Sequence, residues 1–117
     1  MITDKQKILL EKEPVALATV NEDGSPNVIA VMAVKVVDEK TIVITDNYMN
    51  STKANICRNK KICLAVWTKD EGYKFIGNVA YHDDGKWLSY VKQNKDNNGY
   101  PCKGAVVVTV KKVISLG

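Results

Sequence analysis

Residues 41–59 read TIVITDNYMNSTKANICRN, and the reading of this stretch decides the fold. Thr41 to Thr45 is a β-strand signal, with Ile42, Val43 and Ile44 consecutive, β-branched and apolar. A polar loop follows, Asp46 to Asn50, and Ser51-Thr52-Lys53 then opens a helix running to Asn59, with Ala54 and Cys57 three apart on one face. A strand that feeds a hydroxyl-bearing helix N-terminus can hold an anion, because first-turn N–H groups are unpaired and carry partial positive charge. The Ser51 and Thr52 hydroxyls and the Lys53 ammonium would add donors, and phosphate is the natural guest. The plainer reading makes Asn50 or Ser51 an N-cap and leaves Lys53 a solvated surface charge.

Upstream, Thr3 or Asp4 can cap a helix from Lys5 to Lys12 that stops before Pro14 and lies across one end of the core. Val15 to Val20 is an uncharged strand, expected to be buried on both faces. NEDGSP, Asn21 to Pro26, carries Asp23-Gly24, the strongest hairpin signal in the chain. Asn27 to Val37 reads as one long apolar strand, and Asp38-Glu39-Lys40 turns it into Thr41–Thr45, so the first three strands form a meander. Downstream, Ile62–Thr68 and Tyr73–His82 are strands, with a bulge or tight bend at Gly77. Asp83 or Asp84 caps a helix whose apolar stripe is Trp87, Leu88 and Val91. Lys95–Lys103 is a polar loop, and Ala105–Leu116 is the last strand.

Six strands and three short helices in 117 residues make one mostly β (α+β) domain, 1–117, with strands joined by short turns and therefore antiparallel. Several strands are apolar on both faces. A closed antiparallel barrel with helices at its ends covers one face, and a second copy covers the other, so a homodimer is expected.

Composition narrows the function classes. A hydrophobic fraction of 45% and a charged fraction of 26% are those of a soluble globular protein, with no apolar run of membrane-spanning length and no signal-peptide core. A cytoplasmic protein with no membrane partner is expected. Net charge is +4 and the lysines are dispersed. A single-stranded nucleic-acid barrel would need aromatics interleaved with lysines, but aromatics are 7% of the chain and only Tyr73-Lys74-Phe75 clusters, so no nucleic-acid partner is expected. Three cysteines without CxxC spacing and a single histidine give neither a disulfide framework nor a metal set. Cys57 and Cys63 read as small buried hydrophobes, Cys102 as a more exposed loop thiol, His82 as a surface residue, and Trp67 and Trp87 as core residues. One histidine cannot supply a nucleophile–base set.

The hairpin ATVNEDGSPNVIAV, the strand–loop–helix IVITDNYMNSTKANICRN and the strand KICLAVW together resemble the FMN-binding split barrel of the pyridoxamine 5'-phosphate oxidase-like flavoproteins. The small single-domain FMN-binding proteins are the nearest in length. The resemblance runs from about Val15 to Leu116, and its most specific piece is the helix opening TKANI, Thr52–Ile56. It implies a six-stranded split barrel that holds FMN. Ser51, Thr52 and Lys53 would hold the phosphate, Thr45 and Asp46 would lie along the isoalloxazine ring, and Ala30, Val31 and Met32 would pass beside its other portion. It also implies a homodimer with the flavin at the interface, where the Tyr100–Lys103 loop and Trp67 are candidate contributions from the second subunit. The activity implied is oxidoreduction, with hydride or electrons passing between a nicotinamide or protein donor and a small acceptor. The alternative is a module that binds or stores flavin or haem without turnover. Relatives often carry a basic pair where this chain has Ser51-Thr52, which implies weaker phosphate binding. Pyridoxamine phosphate oxidation is the lesser expectation, because the arginine- and histidine-rich segment of the full-length oxidase has no counterpart after the last strand.

Overall fold

In the computed structural model, which describes residues 1–116, the Asn27–Val37 stretch is two strands. Strand β1 (Val15–Val20) pairs antiparallel with β2 (Pro26–Val31) through the Asp23-Gly24 turn, where Gly24 adopts φ 87°. The chain then breaks at Met32–Ala33, and β3 (Val34–Asp38) pairs with β4 (Thr41–Asp46). The break is a three-residue turn in which the Val34 N–H donates to the Met32 carbonyl at 3.0 Å. A turn of this kind requires neither glycine nor proline, so the apolar run conceals it.

The consequence is a change of topology. The sheet order is β2-β1-β5-β6-β7-β4-β3, with β5 (Lys61–Trp67), β6 (Gly72–His82) and β7 (Gly104–Ser115) between the two hairpins. The expected three-strand meander is therefore corrected to two hairpins at opposite edges, and six strands to seven. Only Met32–Ala33 separates the edge strands β2 and β3 in sequence, so the sheet must curl until their ends meet. Among the described residues no ladder joins them. The architecture is a seven-stranded antiparallel sheet, split between β2 and β3, with short helices around it.

The concave side is filled by alternate residues of each strand, among them Leu17, Ile42, Ile44, Leu64, Phe75 and Val106. Gly77 sits at a register shift opposite β7, where a side chain would collide with the Thr109 carbonyl; this is the expected bulge. Helix α1 (Asp4–Lys12) starts in a reciprocal Thr3–Gln6 capping box and buries Gln6, Leu9 and Leu10, leaving Ile8 exposed. Helix α3 (Gly85–Gln93) lays the expected Trp87–Leu88–Val91 stripe over Val43, Ala105 and Val107 of β4 and β7.

Helix α2 (Ser51–Asn59) has the expected bounds but not the expected face. Thr52, Asn55 and Ile56 are buried, whereas Ala54 and Cys57 are exposed. Three other expectations are also corrected, two for single residues and one for a strand. Trp67 is 55% exposed, because it is the outward residue at the end of β5. Cys102, expected in an exposed loop, is buried. β1 buries Val15, Leu17 and Thr19 fully but leaves Ala16 and Ala18 only half-covered on its other face.

Candidate functional site

Where the sheet splits, the turn after β2 faces the loop between β4 and α2, and a cavity of about 590 Å³ opens between them. That volume is in the range of small-molecule and cofactor sites. One wall is the end of β2 and its turn, Ile29, Ala30, Val31, Met32 and Ala33; the other is Thr45 with Asn47 to Asn50. The floor is the start of α2, Ser51 and Thr52, beside Asn27. Tyr48, 74% exposed, and Tyr100, 55% exposed, also line the cavity.

The floor offers directional donors. Asn50 occupies the N-cap position of α2, but its side chain makes no capping bond, so the first-turn N–H groups are not closed off by their own cap. This removes the plainer reading of Asn50 as a side-chain cap. Thr52 is buried, and its hydroxyl oxygen accepts from the Asn27 amide at 3.1 Å. That amide also reaches Thr19, which accepts from Asn55, and Arg58 bonds both Asn55 and the Val20 carbonyl. This network holds α2 on the β1–β2 hairpin and explains why a threonine and an asparagine form its buried face: each is matched to a polar partner.

Six of the eight residues singled out from the sequence line the cavity together: Ala30, Val31, Met32, Thr45, Ser51 and Thr52. Asp46 and Lys53 do not. Both meet Tyr81 instead, Asp46 through a hydrogen bond from the phenol and Lys53 with its ammonium 4.8 Å from the ring centroid. Asp46 is fully buried, and its other carboxylate oxygen accepts from the Met49 N–H at 2.8 Å, so it shapes the 47–50 loop from behind. Tyr100, a candidate from a second subunit, lines the cavity of its own chain, while Trp67 lies in a separate cleft with Leu116.

Sequence reasoning missed Asn27, Ile29, Ala33, Asn47, Tyr48, Met49 and Asn50 as lining residues. The loop residues lay inside the polar segment already identified, and length alone would have brought them in. Ala33 carried no signal, because the turn that presents it was hidden. Among the described residues, the lining contains no Asp, Glu, His, Cys, Lys or Arg. Its apolar wall suits a flat ring, its amides suit ring heteroatoms, and its hydroxyl-bearing helix start suits a phosphate, so the residues present fit a flavin mononucleotide.

Comparison with known proteins is consistent along the whole chain. The family model described as pyridoxamine 5'-phosphate oxidase matches residues 2–116. An uncharacterized protein of Methanocaldococcus jannaschii is 39% identical over 121 residues, which cover 98% of this chain and 80% of that protein. Among solved structures, HupZ of Group A Streptococcus superposes with a TM-score of 0.91 at 26% identity, covering 99% of this chain and 94% of that one. An FMN-binding protein from Syntrophomonas wolfei has a TM-score of 0.86 at 19% identity, with 99% and 86% covered; that likeness is one of fold.

Proposed function

The chain belongs to the pyridoxamine 5'-phosphate oxidase family, and from that membership together with its cavity we propose that it is an FMN-binding protein. The observation that carries the reading is the pairing of an apolar β2 wall with an uncapped, hydroxyl-bearing helix start in one cavity. Ser51, Thr52 and the first-turn N–H groups of α2 would hold the phosphate. Thr45, Asn47 and Asn50 would meet the polar edges of the ring, and Ala30, Val31 and Met32 would flank it. Lys53 would add charge from the rim rather than a direct contact, since its ammonium rests on Tyr81.

Holding the cofactor is the first reading, because among the described residues the lining offers no acid–base side chain except the two tyrosines. A bound FMN would itself supply hydride or single-electron transfer. A second reading, an oxidoreductase working between a nicotinamide or protein donor and a small acceptor, is favoured by the exposure of Tyr48 and Tyr100 among the lining residues. On either reading we place the flavin at a homodimer interface. Ala30 and Met32 line the cavity and are also exposed, so its rim continues onto the apolar outer face of β2 and β1. Three free thiols suit a reducing compartment such as the cytoplasm, and no helix among the described residues is long and apolar enough to cross a membrane.

The test is the visible spectrum of the purified protein after incubation with FMN and gel filtration. A retained flavin band near one flavin per chain is expected. A protein that stays colourless in excess FMN overturns the proposal. Anaerobic bleaching of the band by reduced nicotinamide then selects the oxidoreductase, and a band that persists selects the holder. Ser51→Ala combined with Thr52→Val should cost ~1–3 kcal/mol of FMN binding, the range for hydrogen bonds to a charged group.

A further inference from the structure

Behind the cavity, the short 3-10 turn Lys95–Asn97 buries the side chain of Asn97, which is 3% exposed. Its amide nitrogen donates to the Val91 carbonyl at 2.7 Å and to the Thr45 hydroxyl oxygen at 2.9 Å. The orientation of this amide follows from chemistry. A backbone carbonyl can only accept, so the nitrogen must face Val91, and both amide protons are then committed. The cost is visible, because the Asn97 Oδ1 is buried without a partner. The turn is held in place by the Asn97 N–H to the Asn94 carbonyl and by the Cys102 thiol against the Asn97 carbonyl.

Thr45 is thereby constrained. A hydroxyl has one proton, and here its oxygen accepts a hydrogen bond from the Asn97 amide. Its own proton is not part of that bond, and among the described residues no side-chain or backbone acceptor takes it. Thr45 is 6% exposed and lines the cavity. We propose that Asn97 is a positioning residue that commits the Thr45 hydroxyl as a donor to the cavity's occupant, so that this end of the site takes a hydrogen-bond acceptor such as a ring carbonyl or ring nitrogen of the flavin. The inference rests on the FMN reading and deepens it: Thr45 reads the ring, and Asn97, which does not line the cavity, sets the sense in which Thr45 reads it.

The experiment is an FMN titration, followed by quenching of flavin fluorescence and by the absorption bands of the bound flavin. It compares the unaltered chain with Thr45→Val, Thr45→Ser, Asn97→Ala and the Thr45→Val/Asn97→Ala double variant. Thr45→Val should weaken binding about five- to tenfold, the size of one hydrogen bond, and shift the bands. Thr45→Ser, which keeps the hydroxyl, should restore both. Asn97→Ala should lose a similar factor, and the double variant should lose no more than Thr45→Val alone, because Asn97 acts through Thr45. Thr45→Val binding within about twofold with unchanged bands overturns the assignment. Losses that multiply in the double variant overturn the positioning role. An unaltered chain that binds no FMN brings down the FMN reading and this assignment with it, whereas equal binding by all the chains brings down this assignment alone. Thr45→Val and Thr45→Ser are close to the natural side chain in volume, so the test stands even if Asn97→Ala does not fold.

Discussion

The phenol of Tyr81 donates to Oδ2 of Asp46 across 2.5 Å, and Oδ1 of the same fully buried carboxylate accepts the Met49 N–H at 2.8 Å. Asp46 ends β4, and Tyr81 is the penultimate residue of β6. Through this bond the central sheet sets the path of the loop that forms one wall of the cavity. A buried carboxylate that loses a partner bears its desolvation cost uncompensated. Tyr81→Phe should therefore destabilise the fold by ~1–3 kcal/mol in urea unfolding. A change within ~0.5 kcal/mol would show that the bond contributes nothing net.

The same pair sets a pH dependence. Burial first, and then the hydrogen bond to Asp46, push the Tyr81 phenol above its ordinary value of 10.0. The native chain thus keeps a proton that the unfolded chain releases. The stabilisation is fully present below the ordinary value and declines as pH rises beyond it. Unfolding free energies at about pH 9 and about pH 11 should fall more steeply for the unaltered chain than for Tyr81→Phe. Parallel declines would assign the alkaline loss to other groups.

Gly104, the register partner of Asp46 on β7, lies directly against the Tyr81 ring, and a β-carbon there would collide with the phenol. Ordinary strand propensity would favour alanine over glycine. Here Gly104→Ala should destabilise instead, by ~1–3 kcal/mol through overpacking, and it should not add fully to Tyr81→Phe because both break the same contact. Urea melts of the two single variants and the double variant test this; full additivity would separate them.

Much of this fold can be read from local chemistry. Asp23-Gly24 and Gly77 mark a turn and a bulge by the one residue type that suits each, and the Trp87–Leu88–Val91 stripe identifies the inner face of α3. The break at Met32–Ala33 is invisible in sequence, because a hydrogen bond from Val34 to Met32 needs no special residue. Hydropathy also misassigned the buried face of α2. Thr52 and Asn55 are covered because Asn27 and Thr19 sit opposite them, and that is a tertiary fact. The cavity was legible in the same proportion: the residues near Ser51 were found from helix-start chemistry, while Asp46 and Lys53 were drawn away by Tyr81, a residue of no local distinction.

The thiols invert the order their sequence settings suggest. Cys57 lies on the exposed face of α2, Cys63 is half-buried with its thiol pushed up by burial, and Cys102 is buried at a left-handed φ of 49°. A thiol reagent at neutral pH should label Cys57 first, Cys63 slowly, and Cys102 only once the chain unfolds. Peptide mapping after timed labelling checks the order, and early labelling of Cys102 would contradict the packing of the 95–103 segment.

On the outer face, register places Ala30, Ala16 and Ala65 in one row across β2, β1 and β5, next to a second row of Val28, Ala18 and Cys63. Val28 is 65% exposed and Met32, at the rim of the cavity, 61%. Small residues let another backbone approach closely, and the apolar groups around them favour exclusion of water. Ala16→Glu puts a charge in the centre of this face at a residue that belongs to neither the core nor the cavity lining, beside its lining register partner Ala30. If two copies meet here, the unaltered chain sediments as a dimer and Ala16→Glu as a folded monomer. If the flavin lies at that interface, the monomer also binds FMN more weakly, although every lining residue is intact. A dimer that survives Ala16→Glu with FMN affinity unchanged would move the interface elsewhere on the sheet and leave the cavity complete within one chain.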